Sequence, residues 1–194
     1  MHRSSRIISV VLALAACAWA PGAVLAQAYP TRTIRMILPF PPGGPTDTHS
    51  RWAGQQLSAA FGQPVVVENR AGAAGVIGTE AVAKAAPDGY TLLGGNPGPL
   101  TIAPSLRKQL GYDPISDFAP ITLIARSASC MCVHPSIPAK ALKEFIAIAK
   151  SSPGKINYAT PGGGTGGHLA SENFATLAGI KMTHVPYKGA AIYT

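Results

Sequence analysis

The chain has 194 residues, of which 47% are hydrophobic and only 12% charged, with a formal net charge of +8. That length gives one or two domains, and that apolar content is enough to build a core. Once Arg3 and Arg6 are set aside as part of a leader, the 16 basic residues fall to 14 against 8 acidic ones; they are scattered singly rather than gathered on one face, which argues against nucleic-acid binding.

Residues 1–26 read as an export signal, with Arg3 and Arg6 at the charged start, an apolar core over 7–16 and Val24-Leu25-Ala26 as the small-residue cleavage site. Leu14-Ala15-Ala16-Cys17 offers a competing reading in which Cys17 is acylated as a lipoprotein anchor, but the apolar run continues to Ala26 and favours cleavage there. No later stretch reaches about 18 uninterrupted apolar residues, so the mature chain is expected to be soluble.

Residues 34–38 form an apolar run predicted as a buried strand. It leads into Pro39-Phe40-Pro41-Pro42-Gly43-Gly44-Pro45-Thr46-Asp47, read as a strand end, a tight turn and a helix start. The prolines remove backbone donors, while Gly43 and Gly44 let a ligand approach the main chain. The N–H groups of Gly43, Gly44, Thr46 and Asp47, together with the partial positive charge of a helix N-terminus, suit a carboxylate or phosphate. The purely structural alternative is that Asp47 caps the helix and the glycines only turn the chain. The helix is predicted over 47–61 and closed by Gly62.

Val65-Val66-Val67 follows as a strand whose continuous β-branched character predicts cover on both faces. After a turn over 68–72, a helix is predicted over 75–86 with Ile77, Ala81, Val82 and Ala85 inward. Pro87-Asp88-Gly89 is a turn, and 90–93 a third strand. This βαβαβ order predicts a parallel sheet with right-handed crossovers. Gly94-Gly95-Asn96-Pro97-Gly98 comes directly after the third strand, at the carboxyl edge where ligands bind in open parallel sheets, so two glycine-rich loops share one edge.

Further on, a short helix is expected over 102–110, strands over 119–125 and 129–133, and an amphipathic helix over 140–150 with Leu142, Phe145, Ile146 and Ala149 inward. Cys130 and Cys132 would lie about 7 Å apart on such a strand, too far for an unstrained disulfide, so buried free thiols are expected. A Cys-x-Cys metal site has only His134 nearby to support it. A strand over 156–159 then feeds the loop from Thr160 to His168, with five glycines, and a helix over 168–178; a strand over 182–185 and a turn over 186–189 complete the pattern. Strand, glycine turn and helix start thus occur twice, which predicts two related lobes, 27–122 and 123–194. The second lobe stops before the crossover its sheet would be expected to have next, and the chain is expected to be a fragment.

The two loops together form a candidate anion site, with backbone N–H groups as donors and Thr46, Thr165 and Asn96 fixing orientation. Neither loop holds Arg or Lys, so neutral donors would carry recognition. Enzymatic patterns fare worse. The phosphate-loop lysine is missing, as is a Gly-x-Ser-x-Gly elbow, and Gly162 to Gly167 lacks the acidic residue that a dinucleotide loop needs at the end of the next strand. His49, His168 and His184 are too separated in sequence to read as a metal set. No cofactor, metal or catalytic residue is expected; Asp47 or His168 acting as a base is the enzymatic alternative.

Tyr29-Pro30 with Ile34-Arg35, the loop Pro39 to Asp47, Gly62-Gln63-Pro64-Val65-Val66-Val67-Glu68-Asn69-Arg70, Ala85-Ala86-Pro87-Asp88-Gly89-Tyr90-Thr91-Leu92, Tyr112-Asp113-Pro114 with Asp117-Phe118 and Pro120, and His184-Val185-Pro186-Tyr187-Lys188-Gly189 resemble, in order and spacing, the solute-binding proteins of tripartite tricarboxylate transporters, or Bug-type receptors. The resemblance runs from Tyr29 to about Ala190. It implies an α/β, two-lobed periplasmic-binding-protein-like fold, each lobe a mainly parallel sheet flanked by helices, incomplete at the C-terminus. It also implies a periplasmic, monomeric receptor that is not an enzyme, closes on a small carboxylic acid and delivers it to membrane permease subunits. In that family main-chain amides and waters hold the carboxylate, which points to Phe40, Gly43, Gly44, Thr46 and Asp47 in the first loop and Thr160, Gly162, Gly164, Thr165 and His168 in the second; Asn96 joins them from the residue-level reading. The chain departs from the family at Gly163, Gly166 and Gly167, where relatives often carry Asn or Ser, at Leu100, where many carry His, and at Ala191-Ile192-Tyr193-Thr194, where the family continues differently. The remaining alternatives are an exported subunit presenting its ligand to a sensor kinase, and a periplasmic enzyme.

Overall fold

The computed structural model describes residues 28–190; the segment read as an export signal, with Cys17, and the residues 191–194 lie outside them. Strand β1 (Ile34–Leu38) forms where predicted and is the centre of a three-stranded sheet. It pairs in parallel with β2 (Val65–Asn69) on one side and β3 (Thr91–Leu93) on the other. Ile34, Ile37 and Leu38 are fully buried, as a central strand between helices requires. Arg35 alone on β1 is exposed and forms a two-pronged pair with Glu68 at 2.7 and 2.8 Å.

β2 departs from expectation. It is an edge strand with Val66 exposed, because β-branched residues report a liking for extended backbone and not how many faces are covered.

Helix α1 (Pro45–Phe61) crosses over from β1 to β2 and ends at Gly62, whose φ of 64° is left-handed and whose N–H donates to the Ser58 carbonyl at 3.1 Å. Helix α2 (Val76–Ala83), entered through a 3-10 turn at Ala73–Gly75, stops three residues short of the predicted end. Its buried face is also not the predicted one. Val76, Gly78 and Thr79 point inward, and Ile77 is exposed. The cause is close backbone approach: a Cβ on Gly78 would stand 2.6 Å from the Arg70 carbonyl oxygen and 2.8 Å from Pro39 Cα. The helix docks through its smallest residue, and this rotation carries Ile77 outward.

The helix expected over 102–110 is instead a π-helical turn, Gly98–Ile102, running into the single turn α3 (Ala103–Leu106). Tyr112 packs beneath it with Val76 and Ala103 and donates its hydroxyl to the Pro99 carbonyl at 2.6 Å. The strands expected over 119–125 and 129–133 are absent among the described residues. Ile121, Leu123 and Met131 are exposed there, and Cys130 and Cys132 are exposed free thiols rather than buried ones. An apolar run becomes a strand only where a neighbour takes its backbone hydrogen bonds, and no described strand runs beside these segments.

A second α/β unit holds α4 (Leu142–Ser151), β4 (Asn157–Thr160), α5 (Gly166–Ala178) and β5 (Thr183–Pro186), with β4 and β5 paired in parallel. Its core is Phe145, Ala149, Ala175 and Ile180, with Phe174 and Ile146 packed against it; Leu142, expected inward, is exposed. No helix among the described residues is long and apolar enough to cross a membrane.

Candidate functional site

Both glycine loops leave the carboxyl ends of parallel strands and enter helices. In the first, Gly43 adopts φ of 89°, and Gly44, in extended conformation, is the residue that begins α1. The helix therefore starts two residues before the predicted position, since the fixed φ of Pro45 suits the first helical place. Asp47 is consequently not the helix cap. It is the third residue of the first turn, only 6% exposed, and accepts hydrogen bonds from the Gly43 N–H at 3.0 Å, Asn69 Nδ2 at 2.9 Å and Arg51 Nε at 3.0 Å.

Burial alone would raise the Asp47 pKa, but the hydrogen bonds from Arg51, Asn69 and Gly43 and the Arg51 charge outweigh it and hold the carboxyl below its ordinary value. An ionised carboxylate so engaged is a poor general base. Asn69 also donates to the Phe40 carbonyl at 3.0 Å and accepts from Arg51 at 2.7 Å, so the loop is braced from beneath by a triad. Arg51 and Asn69 escaped the sequence reading; the i,i+4 spacing of Asp47 and Arg51 was the available signal. The Phe40 ring packs toward Gly75, where a Cβ would lie 3.2 Å from its Cζ. The N–H groups of Gly44, Thr46 and Asp47 have no acceptor among the described residues and stay available.

Asn96 joins the third-strand loop to the first. Its Nδ2 donates to Thr46 Oγ1 at 3.3 Å, and its Oδ1 accepts from the Gly98 N–H at 3.0 Å. The shared edge expected from chain order is thus present.

In the second loop, Gly162 and Gly164 have φ of 141° and 80°, conformations that favour glycine. Thr165 is the N-cap of α5. Its Oγ1 accepts from the His168 N–H at 3.4 Å and donates to the Gly162 carbonyl at 2.7 Å. Thr165→Ala is expected to cost about 1 kcal/mol through loss of this cap; thermal unfolding of the variant measures it, and an unchanged midpoint would contradict the assignment.

Thr160 is buried. Its hydroxyl bonds to the His184 ring Nε2 at 2.7 Å and to the Gly162 main chain at 3.3 Å. His168 Nδ1 accepts the Gly164 N–H at 3.2 Å, and its ring stacks on His184 with centroids 4.1 Å apart. His184 stacks in turn on Tyr158, whose hydroxyl bonds to Glu172. Burial, then the neighbouring His168, push the His184 pKa down while Glu172 pulls the other way; burial and Glu172 push Tyr158 up to about 12. Tyr158 lies on the strand that feeds the loop, and His184 reaches it only because β4 and β5 pair in register, Tyr158 opposite His184. The two histidines, far apart in sequence, are thus brought together, but no group of three His, Cys, Asp or Glu among the described residues is placed to hold a metal. The N–H groups of Gly163, Gly166 and Gly167 have no acceptor among the described residues.

The edges of the two units face one another. A Cβ on Gly98 would lie 3.7 Å from the Gly164 carbonyl oxygen, and one on Gly164 would lie 3.6 Å from Leu106 Cδ1. On the other flank, a Cβ on Gly44 would meet Ala190 Cβ at 3.6 Å, and one on Gly189 would meet Pro41 at 2.9 Å. The nearest arginines are occupied elsewhere, Arg51 by Asp47 and Asn69, Arg107 by the Ala73 carbonyl at 3.1 Å. A groove of about 450 Å³, lined by Gly166, Leu169, Ala170 and Asn173, opens beside the start of α5; another of about 330 Å³ lies on the α1–β2 side. The arrangement can hold an anion through uncharged main-chain donors.

Residues 50–192 match the tripartite tricarboxylate transporter family receptor. Protein BugT of Bordetella pertussis is 39% identical over 187 residues, 96% of this chain and 57% of BugT. Among solved structures, Rpa4515 of R. palustris with adipate superposes with a TM-score of 0.80 at 38% identity, over 83% of this chain and 54% of that one. MatC from Rhodopseudomonas palustris with bound malate gives 0.72 at 34% identity, over 83% and 55%. The chain spans about half the length of the curated relatives it matches, and its α/β fold is the one these structures have.

Proposed function

The chain belongs to the tripartite tricarboxylate transporter receptor family, and on that footing we propose that it serves in the periplasm as a solute receptor, gripping a small carboxylate between its two glycine loops and passing it to the membrane subunits of such a transporter. One observation carries the reading. Both loops are braced by side chains, the first by Asp47 with Arg51 and Asn69 and the second by Thr165 and His168, and both present unpaired main-chain N–H groups on two edges that meet at Gly98 and Gly164. Unpaired amides at helix starts are suited to a carboxylate, which needs several donors and no counter-charge. Adipate on Rpa4515 and malate on MatC are ligands of that chemistry on relatives.

In this reading the direct donors are the amides of Gly44, Thr46 and Asp47 on one side and of Gly163, Gly166 and Gly167 on the other. Phe40 forms a wall. Gly43, Asn96, Thr160, Gly162, Gly164, Thr165 and His168 shape the loops, and the lobes 27–122 and 123–194 act as jaws.

Calorimetric titration of the full chain with adipate, succinate and malate tests this, with the diamide of adipate as the uncharged control. Saturable binding of at least one acid, no binding of the diamide and recovery of the acid unchanged are expected. Failure of every acid to bind, or chemical conversion of one, would overturn the proposal.

A further inference from the structure

We propose that Leu106 makes the cleft selective for carboxylates with a plain hydrocarbon body and discriminates against those bearing hydroxyl groups. The inference rests on the receptor reading and adds the chemical class of its ligand. Leu106 is 64% exposed, yet its Cδ1 reaches to within 3.6 Å of where a Gly164 side chain would begin, so its apolar surface faces the second loop rather than a core. Leu100 is half-buried on the preceding turn, its Cδ1 3.0 Å from the position a Gly95 Cβ would take. Phe40 and Pro99 meet at Gly75, both within 3.2 Å of where its Cβ would stand.

Against this stands a set of polar side chains that already have partners. Asp47 is held by Arg51, Asn69 and Gly43, and Thr46 by Asn96. Thr160 is held by His184, Thr165 by Gly162 and His168, and the His168 Nδ1 by Gly164. What the loops keep free is main-chain N–H, and the two carboxylate oxygens of a ligand are its strongest acceptors. A ligand hydroxyl pressed toward Leu106 loses its bonds to water and meets a side chain that can neither donate nor accept in their place, a loss that weakens binding by roughly ten- to a hundredfold.

The test is titration of the full chain with two matched pairs that differ by one hydroxyl, succinate against malate and glutarate against 2-hydroxyglutarate. The plain acid of each pair is expected to bind about tenfold tighter or more. Leu106→Asn, which offers an amide to the hydroxyl at an exposed position, is expected to bring both ratios close to one with an unchanged melting temperature. Malate binding as tightly as succinate to the unaltered chain, or ratios that survive in Leu106→Asn, would overturn the inference while leaving the receptor reading intact. Failure of all four acids to bind would overturn the inference, and failure of adipate as well would overturn the receptor reading with it.

Discussion

Gly78→Ala is expected to lower stability by about 3 kcal/mol and to weaken ligand binding with it. Alanine in the interior of a helix would ordinarily stabilise by about 0.5–1 kcal/mol through reduced chain entropy, so the sign here is set by what the new methyl meets. Its Cβ would stand 2.6 Å from the Arg70 carbonyl oxygen, 2.8 Å from Pro39 Cα and 3.0 Å from Pro39 Cβ. Two of these three atoms are backbone, which cannot rotate aside as a side-chain tip can. Helix α2 must therefore back away from β1, and overpacking of that kind falls at the upper end of the usual cost of about 1–3 kcal/mol. Because Pro39 opens the first glycine loop, the displacement is carried toward the amides of Gly44 and Thr46. Gly54→Ala is the matching control: on α1 its Cβ would meet nothing closer than Val67 Cγ2 at 3.4 Å, and it should be neutral or gain a few tenths of a kcal/mol. Chemical denaturation of both variants decides the matter. A Gly78→Ala protein as stable as the Gly54→Ala protein would show that α2 does not dock as described.

Asp47→Ala should cost about 2–3 kcal/mol and alter the acid limb of the stability profile. The charge attraction to Arg51 contributes little of this, since that guanidinium is half open to solvent and its pairing is screened. The larger share comes from the Gly43 N–H and the Asn69 amide, which lose an acceptor at a buried position. The pH dependence follows from the lowered pKa of Asp47. A carboxyl depressed in the folded state contributes stability that is fully present above its unfolded value of 3.8 and is lost as pH falls through the folded value. The unaltered protein should thus lose stability below about pH 4 more steeply than Asp47→Ala. Parallel acid profiles for the two proteins would remove Asp47 from its bracing role, and an unchanged midpoint at neutral pH would do the same.

Two features of the site illustrate how far the sequence carried. The first loop was legible because its signals are local: three prolines and two glycines after an apolar strand leave the backbone few alternatives. The work of Asp47 was not, because half of it depends on Asn69, which lies on a neighbouring strand 22 residues away. In the second loop the glycines and the helix start were read correctly in kind, and Tyr158 was placed on the strand that feeds it, but His184 was not linked to it. His184 reaches the loop through the pairing of β4 with β5, and pairing register is invisible to a reading that follows the chain one residue at a time.

By itself the sequence determined where the chain turns, where α1 ends, and that neither glycine loop holds a cationic side chain. Prolines fix φ, Gly62 tolerates the left-handed region, and the absence of Lys and Arg from both loops is a matter of composition alone. Only the tertiary structure decided that β2 is an edge, that α2 turns its glycine inward and Ile77 outward, that the thiols are exposed, and that Leu106 faces the second glycine loop. Each of these depends on which backbone comes to lie against which, and hydrophobicity measured along a chain records a residue's preference for burial without recording what is there to bury it.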